Sequence, residues 1–312
     1  LIGYIGREVE WWMVRSGTLA LGTNLLITDI TDEDDRSFRL SLLYGCGFLG
    51  VLLGSVSSTY IYEAVGYTNL YILATIVYVV SYLNQVQHSL IFFLFQGGFV
   101  DLFDCTLVKE TFSVVFKKRT KAVAAMLILL VTAFGVTMFC MAGLDNMAYF
   151  FTRQKFQWLL KQYNIFSAVN TIIIVFGMFV GMAFLQKFCR MSDGVLLILS
   201  YISSVADAVV RCFARRSWHM YLAGTMSMLG GLSPPMIRSQ VAKIVPRSEV
   251  AKMYSLITFV ESLLPVFSPL VFNTIYYRTL VTFPAAMYAV SAGLLTVCLV
   301  FVTFKFLFKN KL

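Results

Sequence analysis

Apolar residues run along this chain in long unbroken stretches, and polar residues collect in short clusters between them. A helix needs about 20 apolar residues to cross a bilayer. Nine runs approach that length: 11–30, 41–62, 69–87, 122–144, 163–186, 194–210, 219–237, 253–276 and 282–304. The first holds Arg15, and its paired Trp11 and Trp12 suit a membrane–water interface. A further run, 89–95, is too short to span, so it either lies along the interface or extends the helix before it. The runs lack the alternation of a membrane barrel, and backbone groups in lipid must be satisfied within their own segment. The predicted fold is all-α, a polytopic transmembrane helix bundle of about nine helices.

Composition agrees with lipid as the solvent. Hydrophobic residues make up 59% of the 312 and charged residues 13%, against about a quarter charged in soluble domains. Mean hydropathy is +0.78. The net charge of +9 is spread over inter-helix clusters, so no nucleic-acid partner is expected. Cys46, Cys105, Cys140, Cys189, Cys212 and Cys298 show no metal-site or disulfide spacing and read as small buried hydrophobes. No metal and no cofactor are expected. Metalloprotease, nucleophile-elbow and phosphate-loop motifs are absent from the sequence, so an enzyme is not expected either.

With the N-terminus outside, the inner loops and their flanks hold fifteen Lys and Arg and the outer ones nine, with Arg211 counted outside and Arg238 unassigned. The longest inner loop, 88–121, separates three helices from six. The expected organisation is 1–87 as the second half of an N-terminal bundle, 88–121 as a central cytoplasmic loop and 122–312 as a C-terminal six-helix bundle. About three helices are expected to be missing ahead of Leu1, and the 312 residues alone are not expected to transport.

Four stretches carry a resemblance. They are Asp29-Ile-Thr-Asp-Glu-Asp-Asp-Arg-Ser-Phe-Arg39 running into Gly45, Gly47, Gly50 and Gly54; Leu107-Val-Lys-Glu-Thr-Phe-Ser-Val-Val-Phe-Lys-Lys-Arg119; Leu232-Ser-Pro-Pro-Met-Ile-Arg-Ser-Gln-Val-Ala-Lys-Ile-Val-Pro246; and Glu261-Ser-Leu-Leu-Pro-Val-Phe-Ser-Pro269. In that order they resemble major facilitator superfamily transporters, and more closely the solute carrier family that contains the proton-coupled folate transporter. The resemblance implies a major-facilitator-like bundle holding helices four to twelve of twelve. It also implies that the Asp29–Arg39 loop braces helices in one gating state, with Asp29, Arg36 and Arg39 in that role; a solvated acidic turn is the alternative. Gly47, Gly50 and Gly54 share a helix face that could approach a neighbouring backbone closely.

Ionisable groups inside a membrane are costly, so each is a functional candidate. Arg238 lies roughly 7.5 Å deeper than Lys243 at 1.5 Å per residue. It follows Pro234 and Pro235, which cannot donate to the carbonyls of Gly230 and Gly231; a locally broken helix is expected there. Arg238 could hold an anionic substrate through a bidentate contact or snorkel to inner headgroups. The resemblance places it at an arginine implicated in substrate binding or coupling. Glu261 lies about 13 Å beyond Lys252, on one face with Pro265 and Pro269, and is either a proton carrier or an interhelical hydrogen-bond donor. Asp207 and Arg211 have the i, i+4 spacing of an ion pair; a coupling role for Asp207 is the alternative. Asn170 could line a cavity or bond across helices. Tyr44 stands where the folate transporter has a glutamate important for coupling, and a histidine near that transporter's seventh helix has no counterpart, which weighs against folate and against the same coupling route. Tyr44 can still bond a substrate.

The expected function is secondary active transport of small organic anions across a lipid bilayer, with proton coupling and folate-like solutes as finer expectations. The plasma membrane is the expected location, and the lysosomal or endosomal membrane the alternative. A non-transporting receptor or scaffold of the same fold is the competing reading.

Overall fold

The computed structural model describes residues 22–31, 36–50 and 52–54, ten scattered positions from 61 to 80, and 121–309. The 89–95 run and the central loop up to residue 120 lie outside the described residues. Helix α1 covers 22–29 and α2 Arg36–Gly54. After the central loop come α3 (Lys121–Phe156), α4 (Leu160–Phe179), α5 (Asp193–Cys212), α6 (Ser217–Met226), α7 (Ser233–Ile244), α8 (Arg247–Thr279) and α9 (Ala286–Lys309). No strand occurs among the described residues.

Six helical stretches among the described residues are long and apolar enough to cross a membrane: Arg36–Gly54, Val123–Phe156, Leu160–Phe188, Asp193–Cys212, Arg247–Thr279 and Ala286–Phe304. Most extend their sequence runs by a few residues, because polar residues continue a helix into the interface once its core is paid in hydrogen bonds. The largest difference is at α3, which runs on to Phe156 instead of ending at Leu144. Asp145 is therefore a helix residue. Arg211, counted above among the outer loops, sits in the last turn of α5 and is buried.

The run at 219–237 is not one helix. α6 tightens into a 3₁₀ segment, Ser227–Leu232, and restarts as α7 with Pro234 and Pro235 in its first turn, where a missing N–H costs nothing. The break expected from the proline pair is present. Its polar groups are met by serines of α5: Ser200 Oγ donates to the Gly230 carbonyl at 3.1 Å, and Ser203 Oγ donates to that of Met226. Ser233 Oγ donates to Gly230 as well, at 3.2 Å.

α3 packs along α8 and α5 along α9, while the 3₁₀ segment lies between α4 and α5. Glycines permit the closest approaches. A Cβ at Gly177 would stand 1.9 Å from the Met228 backbone oxygen, and one at Gly143 would stand 2.2 Å from the Phe272 ring. Past Gly177, α4 widens into a π-helical stretch, Val180–Phe188. At Gly47, Gly50 and Gly54 nothing lies within 4 Å of a Cβ, so the close approach expected on that face is not made among the described residues. α8 continues through Pro265 and Pro269 as one helix.

Gly177→Ala should therefore lower the unfolding temperature in detergent, at a cost of about 1–3 kcal/mol for overpacking. Gly293→Ala on α9, where a Cβ meets nothing within 4 Å, should be neutral or slightly stabilising. Thermal unfolding of the two variants side by side checks this contrast.

Candidate functional site

The candidate residues fall into three groups. The first is centred on Arg238, one turn into α7, whose side chain is 0% exposed. Its Nη2 pairs with Glu261 Oε2 on α8. Its guanidinium carbon lies 5.0 Å from the Phe134 ring of α3 and 5.4 Å from the Tyr44 ring of α2, so aromatic faces supply part of the stabilisation that water would have given. Nε and Nη1 have no hydrogen-bond partner. Tyr254 donates its hydroxyl hydrogen to the Arg238 carbonyl at 3.2 Å, and Thr28 of α1 meets that hydroxyl at 3.2 Å. Arg238, Glu261 and Tyr44, read separately in the sequence, thus form one cluster.

The second group lines a cavity of about 170 Å³ bounded by α2, α3, α4, α5, α9 and the 3₁₀ segment. Asn170 and Asp207 face it, with Asp145, Arg211, Tyr163 and Tyr288. Asp207 Oδ1 accepts from Arg211 Nε at 2.8 Å. The guanidinium of Arg211 lies 5.7 Å from the Phe166 ring and 6.0 Å from that of Tyr288. Asn170 Oδ1 is buried without a partner. The cavity and the Arg238 cluster meet along α3: Phe134 covers Arg238, and Thr137, one turn on, lines the cavity. Between them Tyr201 donates to the Ala133 carbonyl at 3.0 Å, 2.9 Å from Thr137 Oγ1.

The third group is at the end of the bundle that carries Lys187 and Lys243. Asp193 accepts from Ser239 and Lys243, each at 3.0 Å, and from Gln186 at 3.1 Å. Gln186 also reaches Ser37 of α2, and Lys187 lies 4.8 Å from the Phe38 ring centre. Arg36 is buried here, while Asp29 and Arg39 are exposed. The acids at 32–35 lie outside the described residues. Pro234 and Pro235 shape the broken helix, and Pro265 sits inside α8.

Sequence reasoning did not single out Asp145, Asp193, Ser200, Ser203 or Tyr254. The first falls one residue past the predicted span, and the serines look like ordinary small residues of an apolar helix. Ser200 and Ser203 do lie on nearly one face of α5, three apart, which was the available signal.

The Major Facilitator Superfamily model matches residues 14–269. The chain belongs to the Major Facilitator Superfamily. Its relatives fall in solute carrier family 46, the family that the sequence resembles. It is 25% identical to the "Probable peptidoglycan muropeptide transporter SLC46" of Drosophila melanogaster, over 93% of this chain and 59% of that protein. It is also 25% identical to the "Lysosomal proton-coupled steroid conjugate and bile acid symporter SLC46A3" of Gallus gallus, over 84% of this chain and 57% of that one. The chain thus spans less than two thirds of these relatives. Two solved structures share the fold: the human organic anion transporter MFSD10, with TM-score 0.67, 16% identity and coverage of 91% and 67% of the two chains, and FucP in the outward conformation, with TM-score 0.60, 12% identity and coverage of 92% and 72%. The superfamily and fold are those of transporters that span the membrane several times.

Removing Glu261 alone strands the Arg238 charge in the bundle, so Glu261→Ala should cost about 3 kcal/mol. Replacing both partners, as in Arg238→Met with Glu261→Leu, should recover most of that loss. Unfolding temperatures in detergent for the single and double variants check it, since an exposed, weakly coupled pair would give additive losses.

Proposed function

We propose that the protein is a secondary transporter of small organic anions, with Arg238 as the anion-binding group and Glu261 as its exchangeable counter-ion. The observation that carries this reading is a fully buried guanidinium with one nitrogen on a carboxylate and two with no partner. Arginine has five N–H donors and no acceptor, so the free edge suits a carboxylate, sulfate or phosphate. A buried cation needs one anion, and two beside it repel. An incoming organic anion therefore competes with Glu261, and a proton taken up by Glu261 removes the competitor. Protonation and anion binding then favour each other, which is the thermodynamic requirement for symport. Tyr44 supplies an aromatic wall and a hydroxyl in place of a second carboxylate.

The relatives' names support the chemistry in broad terms: muropeptides in one case, steroid conjugates and bile acids with proton coupling in the other. Folate is one member of the proposed class, without special support from the described residues. The membrane is proposed to be the plasma membrane; the lysosomal relatives make the lysosomal membrane the second candidate.

Uptake of labelled muropeptide, steroid sulfate and folate by the full-length protein at acid and at neutral pH tests the reading. Transport of at least one should rise as pH falls. Arg238→Ala should reduce it about tenfold or more, the value of one charge-assisted contact. Glu261→Gln, permanently neutral, should flatten the pH dependence. Absence of uptake for every anion, with the protein present in the membrane, would sink the proposal.

A further inference from the structure

The cavity beside Asp207 has a charge imbalance that the anion reading does not use. Arg211 is already committed to Asp207 at 2.8 Å and to the aromatic faces of Phe166 and Tyr288. Asp145 has no hydrogen bond and no ion pair among the described residues, although Arg211 and Asp207 are the charges that act on it. It is exposed and lines the cavity. The two carboxylates and one guanidinium leave the cavity a net charge of −1.

Asn170 also lines the cavity, with its Oδ1 turned against Gly224 of α6. Tyr163 adds an aromatic wall, and aromatic faces favour a cation. The volume of about 170 Å³ is close to that of a cavity that holds one benzene ring.

We propose that this cavity binds the ammonium group of an amine-bearing solute, with Asp145 as its counter-ion. The proposal rests on the transport reading only for its use: it makes the transported anion a zwitterion. Asp145 and Phe134 are eleven residues apart on α3, or roughly 16 Å at 1.5 Å per residue. A solute touching both Asp145 and Arg238 at once thus needs the reach of an extended peptide of about five residues. A single amino acid occupies the two sites only in turn.

Binding of 2-phenylethylamine and of its neutral isostere 2-phenylethanol to the purified full-length protein tests the proposal. The amine should raise the unfolding temperature and bind at least about tenfold more tightly than the alcohol. Asp145→Asn should erase that preference, and Asp145→Glu, which keeps the charge, should retain it. Equal binding of the two probes to the unaltered protein would overturn the proposal, whether or not the variants fold. So would an unchanged preference in Asp145→Asn. Amine preference without any anion uptake would sink the transport reading alone; anion uptake without amine preference would sink only this one.

Discussion

A helix that breaks inside hydrocarbon has to pass its freed backbone groups to other partners, and much of this bundle is arranged around that requirement. Pro234 and Pro235 take two donors out of the ladder, and a carbonyl left bare in lipid costs several kcal/mol. Ser200 and Ser233 take up the Gly230 carbonyl, and Ser203 takes up that of Met226 while accepting from the Leu229 N–H at 3.2 Å. Such short side chains reach the backbone only if the helices nearly touch. That explains why a Cβ at Gly177 would clash with the Met228 backbone, and why one at Gly181 or Gly231 would press on the Leu232 or Ile174 side chain. The break, the serines and the glycines are one device.

What the break makes possible is the placement of Arg238. A guanidinium this deep would be hard to tolerate on an ordinary span. Here it has a carboxylate, two aromatic faces and a helix that starts just before it. Arg211 solves the same problem differently, pairing within its own helix with Asp207. An i, i+4 pair moves as one body with its helix. The Arg238–Glu261 pair joins α7 to α8, so it responds to any shift between those helices.

The contrast also explains what was legible beforehand. Long apolar runs, the Pro-Pro break and the Asp207–Arg211 spacing are local, and periodicity or backbone chemistry displays them directly. Arg238 and Glu261 are 23 residues apart across a chain reversal. Depth along each helix marks both as candidates, but nothing in spacing shows that they touch. Asp145 was hidden by a rule of length: a run of 23 residues ending at Leu144 looks complete, whereas the helix continues to Phe156. Asn170 was visible as a polar residue in an apolar run, but its unmet oxygen depends on Gly224 of α6, which a Cβ would bring within 2.5 Å of it.

α1 and α2 meet the later helices at several points around Arg238. Ser37 meets Gln186, Phe38 meets Lys187 and Thr28 meets Tyr254, and Tyr44 then covers the guanidinium itself. Tyr254 ties the Arg238 backbone to Thr28, and Tyr44 stacks on the same residue's side chain, so α1 and α2 grip Arg238 at two points. Moving that pair of helices away from α7 must break the Thr28–Tyr254 contact and uncover a ring face of the arginine in the same motion. Rocking of this kind is how the fold alternates its access. The energy of desolvating the guanidinium is therefore tied to the position of α1 and α2.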